Sequence, residues 1–225
     1  VFAGLSAFVV NTYRSKKSNA SIESIAVMPF INESGNADVE YLSDGMTETL
    51  ISSLSQIPNL SVKARSTVFF YKGKETTPKK IGEELGVQAV LLGRVVQRGD
   101  DLRLSLELVK AQTQDVLWSN TYNRKQSELV SLQSDIVSEV SSKLKNLSGT
   151  DKAKLEKKYT DSAEAYQLYL KGKYSWNKRT SESLKQAAEL YRQAIDKDPN
   201  YALAYSGLAE TYVLFSSYDV APTKD

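Results

Sequence analysis

The chain has 225 residues, 41% of them hydrophobic, and its 29 basic and 27 acidic side chains leave a net charge of +2. This composition is typical of one or two folded domains and creates no overall field that would favour nucleic acid or an anionic surface. The sequence contains neither Cys nor His, which excludes thiolate nucleophiles, disulfides, the Ser-His-Asp arrangement and the usual zinc ligands. Carboxylate-only magnesium sites and lysine-based chemistry stay open, but neither has a recognisable motif. We therefore expect no catalytic residues, no cofactor and no metal in this region.

The N-terminal residues are apolar. Residues 1–10 carry no charge and are followed by Arg14, Lys16 and Lys17. A membrane helix needs about 20 apolar residues, so we interpret residues 1–10 as the end of such a helix and 1–23 as that end plus a polar linker. The end of a signal peptide and an apolar strand are the alternatives. The basic residues favour a cytoplasmic location for the rest of the chain, although three charges do not decide the side.

Two strand–helix pairs come after the linker. The apolar run 24–31 predicts a buried strand, and apolar residues spaced by one, three and four from Tyr41 to Leu54 predict a helix that ends before Pro58. Residues 60–65 predict a second strand. Residues 79–85 predict a second helix.

Both ends of the second predicted helix carry typical terminal residues. Pro78 fits the first turn, and Gly86 is the residue expected just past the end. Three strand-like segments come next, at 87–96, 102–109 and 116–122, and the segment 127–147 has helical spacing. The predicted order is β-α-β-α-β-β-β followed by a helix. The fold class expected for 24–147 is therefore an α/β (α+β) sandwich-type domain with a mixed sheet.

The last third of the chain repeats at a period of about 34 residues, the spacing of tetratricopeptide repeats. The positions that carry this pattern are Ala187, Tyr191, Ala194, Pro199, Tyr205, Leu208, Ala209 and Tyr212. We predict a charged connector at 148–160 and the incomplete start of an all-α tetratricopeptide-repeat solenoid at 161–225, with further repeats expected beyond it. The alternative is two ordinary amphipathic helices joined by a turn at 198–200.

Four motifs in the first domain resemble the TolB-type amino-terminal domain, also likened to the flagellar FlgO domain. They lie at 25–30, 41–48, 81–87 and 92–95. The resemblance implies a non-catalytic region of a bacterial signalling protein, downstream of a serine/threonine kinase, a nucleotide cyclase or a winged-helix module, with a membrane helix between them. An upstream cytoplasmic module would place this region outside the cytoplasm, against the hint from the basic residues. We expect membrane anchoring and extracytoplasmic placement, with the cytoplasmic side left open.

Three other patterns have both a functional and a structural interpretation. Ser43, Asp44 and Gly45 could bind an anion or a metal, but capping by Ser or Asp with a close approach at Gly45 is the preferred interpretation. The aromatic and basic stretch 68–74 could hold single-stranded nucleic acid, yet alternate aromatics on a strand would also be buried. The spacing of Gly82, Gly86 and Gly93 fits no nucleotide loop. These glycines are therefore predicted to serve turns or packing.

Partner binding is predicted at the first repeat helix. Tyr and Trp are frequent at binding hot spots, and nearby bases could offer a groove to acidic peptide segments. The predicted partner-binding residues are Tyr169, Lys173, Trp176, Lys178 and Arg179. We expect a protein-interaction or scaffold region of a membrane-anchored bacterial protein, without enzymatic activity of its own. The alternative is the sensory or regulatory arm of a larger kinase or cyclase, or of a winged-helix transcription regulator.

Overall fold

The computed structural model describes residues 22–144, 158–218 and 220. Its strands are β1 (Ser24–Val27), β2 (Ile31–Asn32), β3 (Ser61–Val62), β4 (Ala89–Arg98), β5 (Asp101–Lys110) and β6 (Val116–Lys125). Its helices are α1 (Glu40–Leu54), α2 (Arg65–Phe69), α3 (Pro78–Leu85), α4 (Leu129–Leu144), α5 (Ala163–Asn177), α6 (Ser181–Lys197) and α7 (Ala202–Phe215). The predicted membrane segment 1–10 and residues 148–157 of the predicted connector lie outside the described residues.

The six strands form one mixed sheet. Its order is β3-β1-β4-β5-β6, with the short β2 also beside β4. β1 runs parallel to β3 and β4, whereas β4, β5 and β6 form an antiparallel meander. This arrangement, followed by three helices at the C-terminal side, confirms the predicted fold class.

The first predicted strand is divided in two. Pro29 has no backbone N–H to give to a ladder, and the chain leaves the sheet there before rejoining it at β2. The Phe30 N–H donates instead to Thr47 Oγ1 of α1 at 3.0 Å. The Phe30 ring lies on Gly93, where a Cβ would come within 2.3 Å of it. The prediction of a packing role for Gly93 is confirmed.

The segment after β3 corrects the prediction. The strand predicted at 60–65 is only two residues long, and the first part of the aromatic stretch, for which burial on a strand was the structural interpretation, lies in the short helix α2. β3 is an edge strand paired with β1 through Ser61 and Val62. Beyond that pairing the backbone N–H groups donate to carbonyls nearby in the chain. The Val68 N–H, for example, donates to the Ala64 carbonyl at 3.2 Å. Phe70, which follows α2, is 68% exposed.

The local signals at α3 are confirmed. Pro78 is its first residue, Thr77 caps its N-terminus through the Lys80 N–H, and Gly86 adopts a left-handed φ of 62° at its end. Gly82 faces Ala111, whose Cβ would lie 2.4 Å from an added Cβ. The predicted turn role of Gly86 and packing role of Gly82 therefore both hold.

The antiparallel meander has one buried and one open face. The alternate leucines of β5, from Leu102 to Leu108, are at most 2% exposed and face the helices. The opposite face carries polar residues, including the cross-strand pair Ser105 and Thr121, whose hydroxyls are 3.1 Å apart. This is the alternation expected of a half-buried antiparallel strand.

The three C-terminal helices stack around one aromatic ring. Tyr191 of α6 is 2% exposed and lies between Gly172 of α5 and Gly207 of α7. A Cβ added to either glycine would come within 2.7 Å or 2.6 Å of the ring. The hydrophobic core is continuous from the sheet through α1 to these helices. The repeat helices are thus packed on the α/β part of the molecule.

Candidate functional site

The candidate site is the junction where α5 lies along α1. Gly45, in the middle of α1, faces Leu170 of α5 so closely that a Cβ would lie 2.9 Å from Leu170 Cδ2. The buried Tyr166 hydroxyl is 3.4 Å from Thr49 Oγ1. The sequence interpretation of Ser43 and Asp44 as caps is wrong, because both lie inside α1 and neither caps it. The close approach predicted at Gly45 is confirmed.

A buried carboxylate joins three segments at this junction. Glu48 of α1 is 6% exposed. Its Oε1 accepts from Arg65 Nε at 2.5 Å and from Asn177 Nδ2 at 2.8 Å, and its Oε2 is 3.4 Å from Lys173 Nζ. Arg65 belongs to α2, whereas Lys173 and Asn177 belong to α5. One side chain of α1 therefore fixes both neighbouring helices.

A second charged cluster lies one helical turn earlier in α1. Lys72 Nζ is 2.6 Å from Asp44 Oδ1 and 2.5 Å from Glu40 Oε1. Burial raises the pKa of the Asp44 carboxyl and Lys72 lowers it, and with the neighbouring charges of Glu40 and Glu48 the pKa is raised overall. Burial lowers the pKa of the Lys72 ammonium, but its hydrogen bonds to Asp44 and Glu40 outweigh this and raise it overall. The cluster thus anchors the loop after α2 onto α1.

Four buried tyrosines form a cluster that extends from α1 into the repeat helices. The Tyr169 ring centroid is 5.8 Å from that of Tyr191 and 5.3 Å from that of Tyr201. Burial raises the pKa of all four hydroxyls, those of Tyr166, Tyr169, Tyr191 and Tyr201, above the ordinary value of 10.0. These hydroxyls therefore stay protonated in the folded chain at pH values that ionise an exposed tyrosine.

We expect alkaline pH to unfold the molecule at this junction. A pKa raised in the folded state gives stability that is complete below the unfolded value and is lost as pH rises through the folded one. The free energy of unfolding should therefore begin to fall near pH 10, steeply because several tyrosines act together. Phenolate absorbance and helical circular dichroism should change in one transition. Ionisation of the buried tyrosines with the helical signal intact would contradict the prediction.

The predicted partner-binding residues separate into two groups. Tyr169 is 8% exposed in the core and Lys173 is paired with Glu48, so both lie at the junction between α1 and the repeat helices. The other three lie together at the C-terminal end of α5. The Arg179 guanidinium stacks 3.6 Å from the Trp176 ring centroid, and Lys178 Nζ is 4.5 Å from that of Tyr174. The role of all five residues in partner binding stays a prediction.

Sequence reasoning missed Glu48, although it belongs to the motif at 41–48. The signal that could have found it is its position four residues after Asp44, which places both carboxylates on the side of the predicted helix that also carries Tyr41 and Ile51. Two such carboxylates on a buried helix require cationic partners. The partners themselves, Arg65 and Lys173, could not be identified from local pattern.

Two absences apply to the part of the chain that the structure describes. None of its helices is both long and apolar enough to cross a bilayer. Within the same residues, no three His, Cys, Asp or Glu side chains are grouped so that they could hold a metal ion. Membrane attachment through 1–10 and the side of the membrane stay predictions from the sequence.

The fold and junction define a class of protein: an α/β domain with a mixed sheet on which a helical repeat is seated. Residues 20–141 match the family described as HilA/YgeH-like transcriptional regulator, second domain. Because this match covers more than half of the chain, the chain belongs to that family. Residues 20–141 correspond to the domain that is second in the family's proteins. Residues 179–214 match the TPR repeat, which confirms the predicted tetratricopeptide repeat.

One relative is a protein of Rhizobium meliloti (strain 1021) that carries the provisional name adenylate cyclase 3. It is 30% identical over 187 residues, which are 83% of this chain. The chain spans only 32% of the length of that relative.

Several solved structures are similar in fold. Lipoprotein GNA1162 from Neisseria meningitidis is 23% identical, with a TM-score of 0.41 over 55% of this chain and 99% of that one. TolB from Acinetobacter baumannii is 15% identical, with a TM-score of 0.40 over 58% of this chain and 31% of that one. The C-terminal domain of LpoB from Escherichia coli is 18% identical, with a TM-score of 0.39 over 48% and 86%. The FlgO-like assignment stays a prediction.

Proposed function

We propose that this region is a non-catalytic protein-interaction scaffold, in which the α/β domain holds the first tetratricopeptide repeat in a fixed orientation. The observation that carries the proposal is the junction itself: the buried Glu48 carboxylate binds Lys173 and Asn177 of the first repeat helix. Repeat arrays bind other proteins through extended surfaces whose shape depends on how successive helices are oriented. If the first helix is held rigidly on the α/β domain, its orientation determines the direction in which the following repeats extend.

The charged groups at the junction support a structural rather than a catalytic role. Asp44 and Glu48 are both buried and both paired with cations of the same chain. Neither carboxylate is open to a substrate in this arrangement. The absence of His and Cys from the sequence removes the commonest general base and nucleophile.

A second candidate function is the regulatory arm of a larger signalling protein. It is favoured by the family, whose description is a transcriptional regulator, and by the relative named as an adenylate cyclase, which is about three times as long as the matched part. In that case, binding of a partner to the repeat surface would change the activity of an upstream module. Both functions require the same seated repeat.

Site-specific photo-crosslinking in the full-length protein tests the interaction function. A photoreactive residue at Tyr205, 48% exposed on α7, should give adducts with other proteins that mass spectrometry identifies. The matched control is Thr121, on the open face of the sheet, which should give few. Adducts at Thr121 with none at Tyr205 would contradict the proposal. So would loss of a measurable turnover on replacing Asp44 with Asn while the fold is retained.

A further inference from the structure

We propose that the exposed side of α5 is a binding surface for an acidic segment of a partner protein. This inference rests on the proposed interaction function and assigns it to particular side chains. The surface, called the cationic stripe, consists of Lys171, Tyr174, Lys178 and Arg179. The first three are spaced by three and four residues, and Lys178 directly follows α5 with a helical backbone conformation, so they lie in one row.

Each cation of the stripe rests on an aromatic ring. Lys171 Nζ lies 5.1 Å from the ring centroid of Tyr41 on α1. Lys178 rests on Tyr174, and Arg179 rests on Trp176. A cation held over a ring in this way is oriented but still hydrated on its other side. It remains able to bind a carboxylate.

The stripe differs from the cations beside it. Lys72 and Lys173 are paired with Glu40, Asp44 and Glu48. Among the residues that the structure describes, no carboxylate lies within ion-pair distance of Lys171, Lys178 or Arg179. The neighbouring cations therefore hold the fold, whereas those of the stripe have positive charge available at the surface.

The geometry indicates the kind of ligand. Lys171 and Lys178 are seven residues apart on a helix, about 10 Å along its axis. In a peptide with the polyproline II conformation, residues three apart lie on the same side and are separated by about 9 Å. An acidic segment with carboxylates at that spacing could reach both lysines and lay an apolar side chain on Tyr174. A long polyanion is less well matched, since the chain as a whole has a net charge of only +2.

The test measures binding of the full chain to a fluorescein-labelled poly-glutamate peptide by fluorescence anisotropy. The variant K171Q/K178Q removes two charges from the stripe. The control K143Q/K185Q removes two charges from exposed positions on α4 and α6. Glutamine favours helix as lysine does, and circular dichroism verifies that both variants fold.

The wild type should bind the peptide, more weakly as salt is added. The stripe variant should bind roughly two- to thirtyfold more weakly, the range expected from losing two exposed ion pairs, while the control stays within about twofold. Absence of wild-type binding, or equal loss in both variants, would overturn the inference. Equally tight binding of single-stranded DNA or of phosphatidylglycerol vesicles, with the same dependence on these lysines, would also overturn it. If adducts at Tyr205 persist in those cases, the stripe is wrong and the interaction function stands.

Discussion

Replacing Glu48 with Gln is expected to destabilise the folded chain by about 2–4 kcal/mol. Removing one partner of a buried ion pair leaves the other charge uncompensated and is strongly destabilising. Breaking a buried ion pair generally costs about 3–5 kcal/mol. We expect a smaller loss here because Arg65 and Lys173 are 33% and 25% exposed and so partly solvated. Urea unfolding followed by circular dichroism gives the free energy of unfolding. The matched control is Glu83→Gln, on the exposed side of α3, which should change it by less than about 0.5 kcal/mol.

A double-mutant cycle assigns the Glu48 effect to the junction. If the carboxylate holds α5 through Lys173, then E48Q and K173M together should destabilise by less than the sum of the two single changes. Hydrogen exchange adds a spatial readout, because amides of α5 should lose protection in E48Q before those of β4 and β5 do. Additive effects, with equal loss of protection throughout the sheet, would mean that Glu48 supports the core in general and does not seat the repeat.

The parts of the fold that sequence could predict depend on contacts between near neighbours in the chain. Pro78 and Gly86 mark α3 because their backbone geometry is intrinsic to the residue. The alternation from Leu102 to Leu108 identifies β5 because strand side chains point to opposite faces. The repeat helices follow from spacing within the 34-residue unit. None of these inferences requires knowledge of a distant partner.

The parts that could not be predicted depend on distant partners. Asn177 lies 129 residues after Glu48, and Lys72 lies 28 residues after Asp44. Asp44 has a low intrinsic preference for a helix interior, so its local environment suggested a cap. Its ion pair with Lys72 and the packing of Gly45 on Leu170 override that preference. The burial of Tyr169 and the ion pair of Lys173 with Glu48 could not be predicted for the same reason, since both depend on packing against α1.

The close packing of Tyr191 against two glycines predicts a large loss of stability when its ring is removed. Tyr191→Ala should destabilise by about 3–5 kcal/mol, because it removes a fully packed aromatic ring and leaves a cavity among α5, α6 and α7. Tyr191→Phe keeps the ring and is the control, with an expected change below about 1.5 kcal/mol. Similar losses for the two variants would show that the hydroxyl, and not the ring, matters.

Gly207→Ala should have opposite effects in two backgrounds. In the wild type the new Cβ would lie 2.6 Å from Tyr191 Cζ, and such overpacking is expected to destabilise by about 1–3 kcal/mol. In the Tyr191→Ala background the ring is gone, so the higher helix propensity of Ala should stabilise by up to about 1 kcal/mol. Urea unfolding of the four variants in the cycle measures both changes. A destabilisation of the same size in both backgrounds would show that Gly207 is required for another reason, and the close stacking of α6 and α7 would then lack its proposed cause.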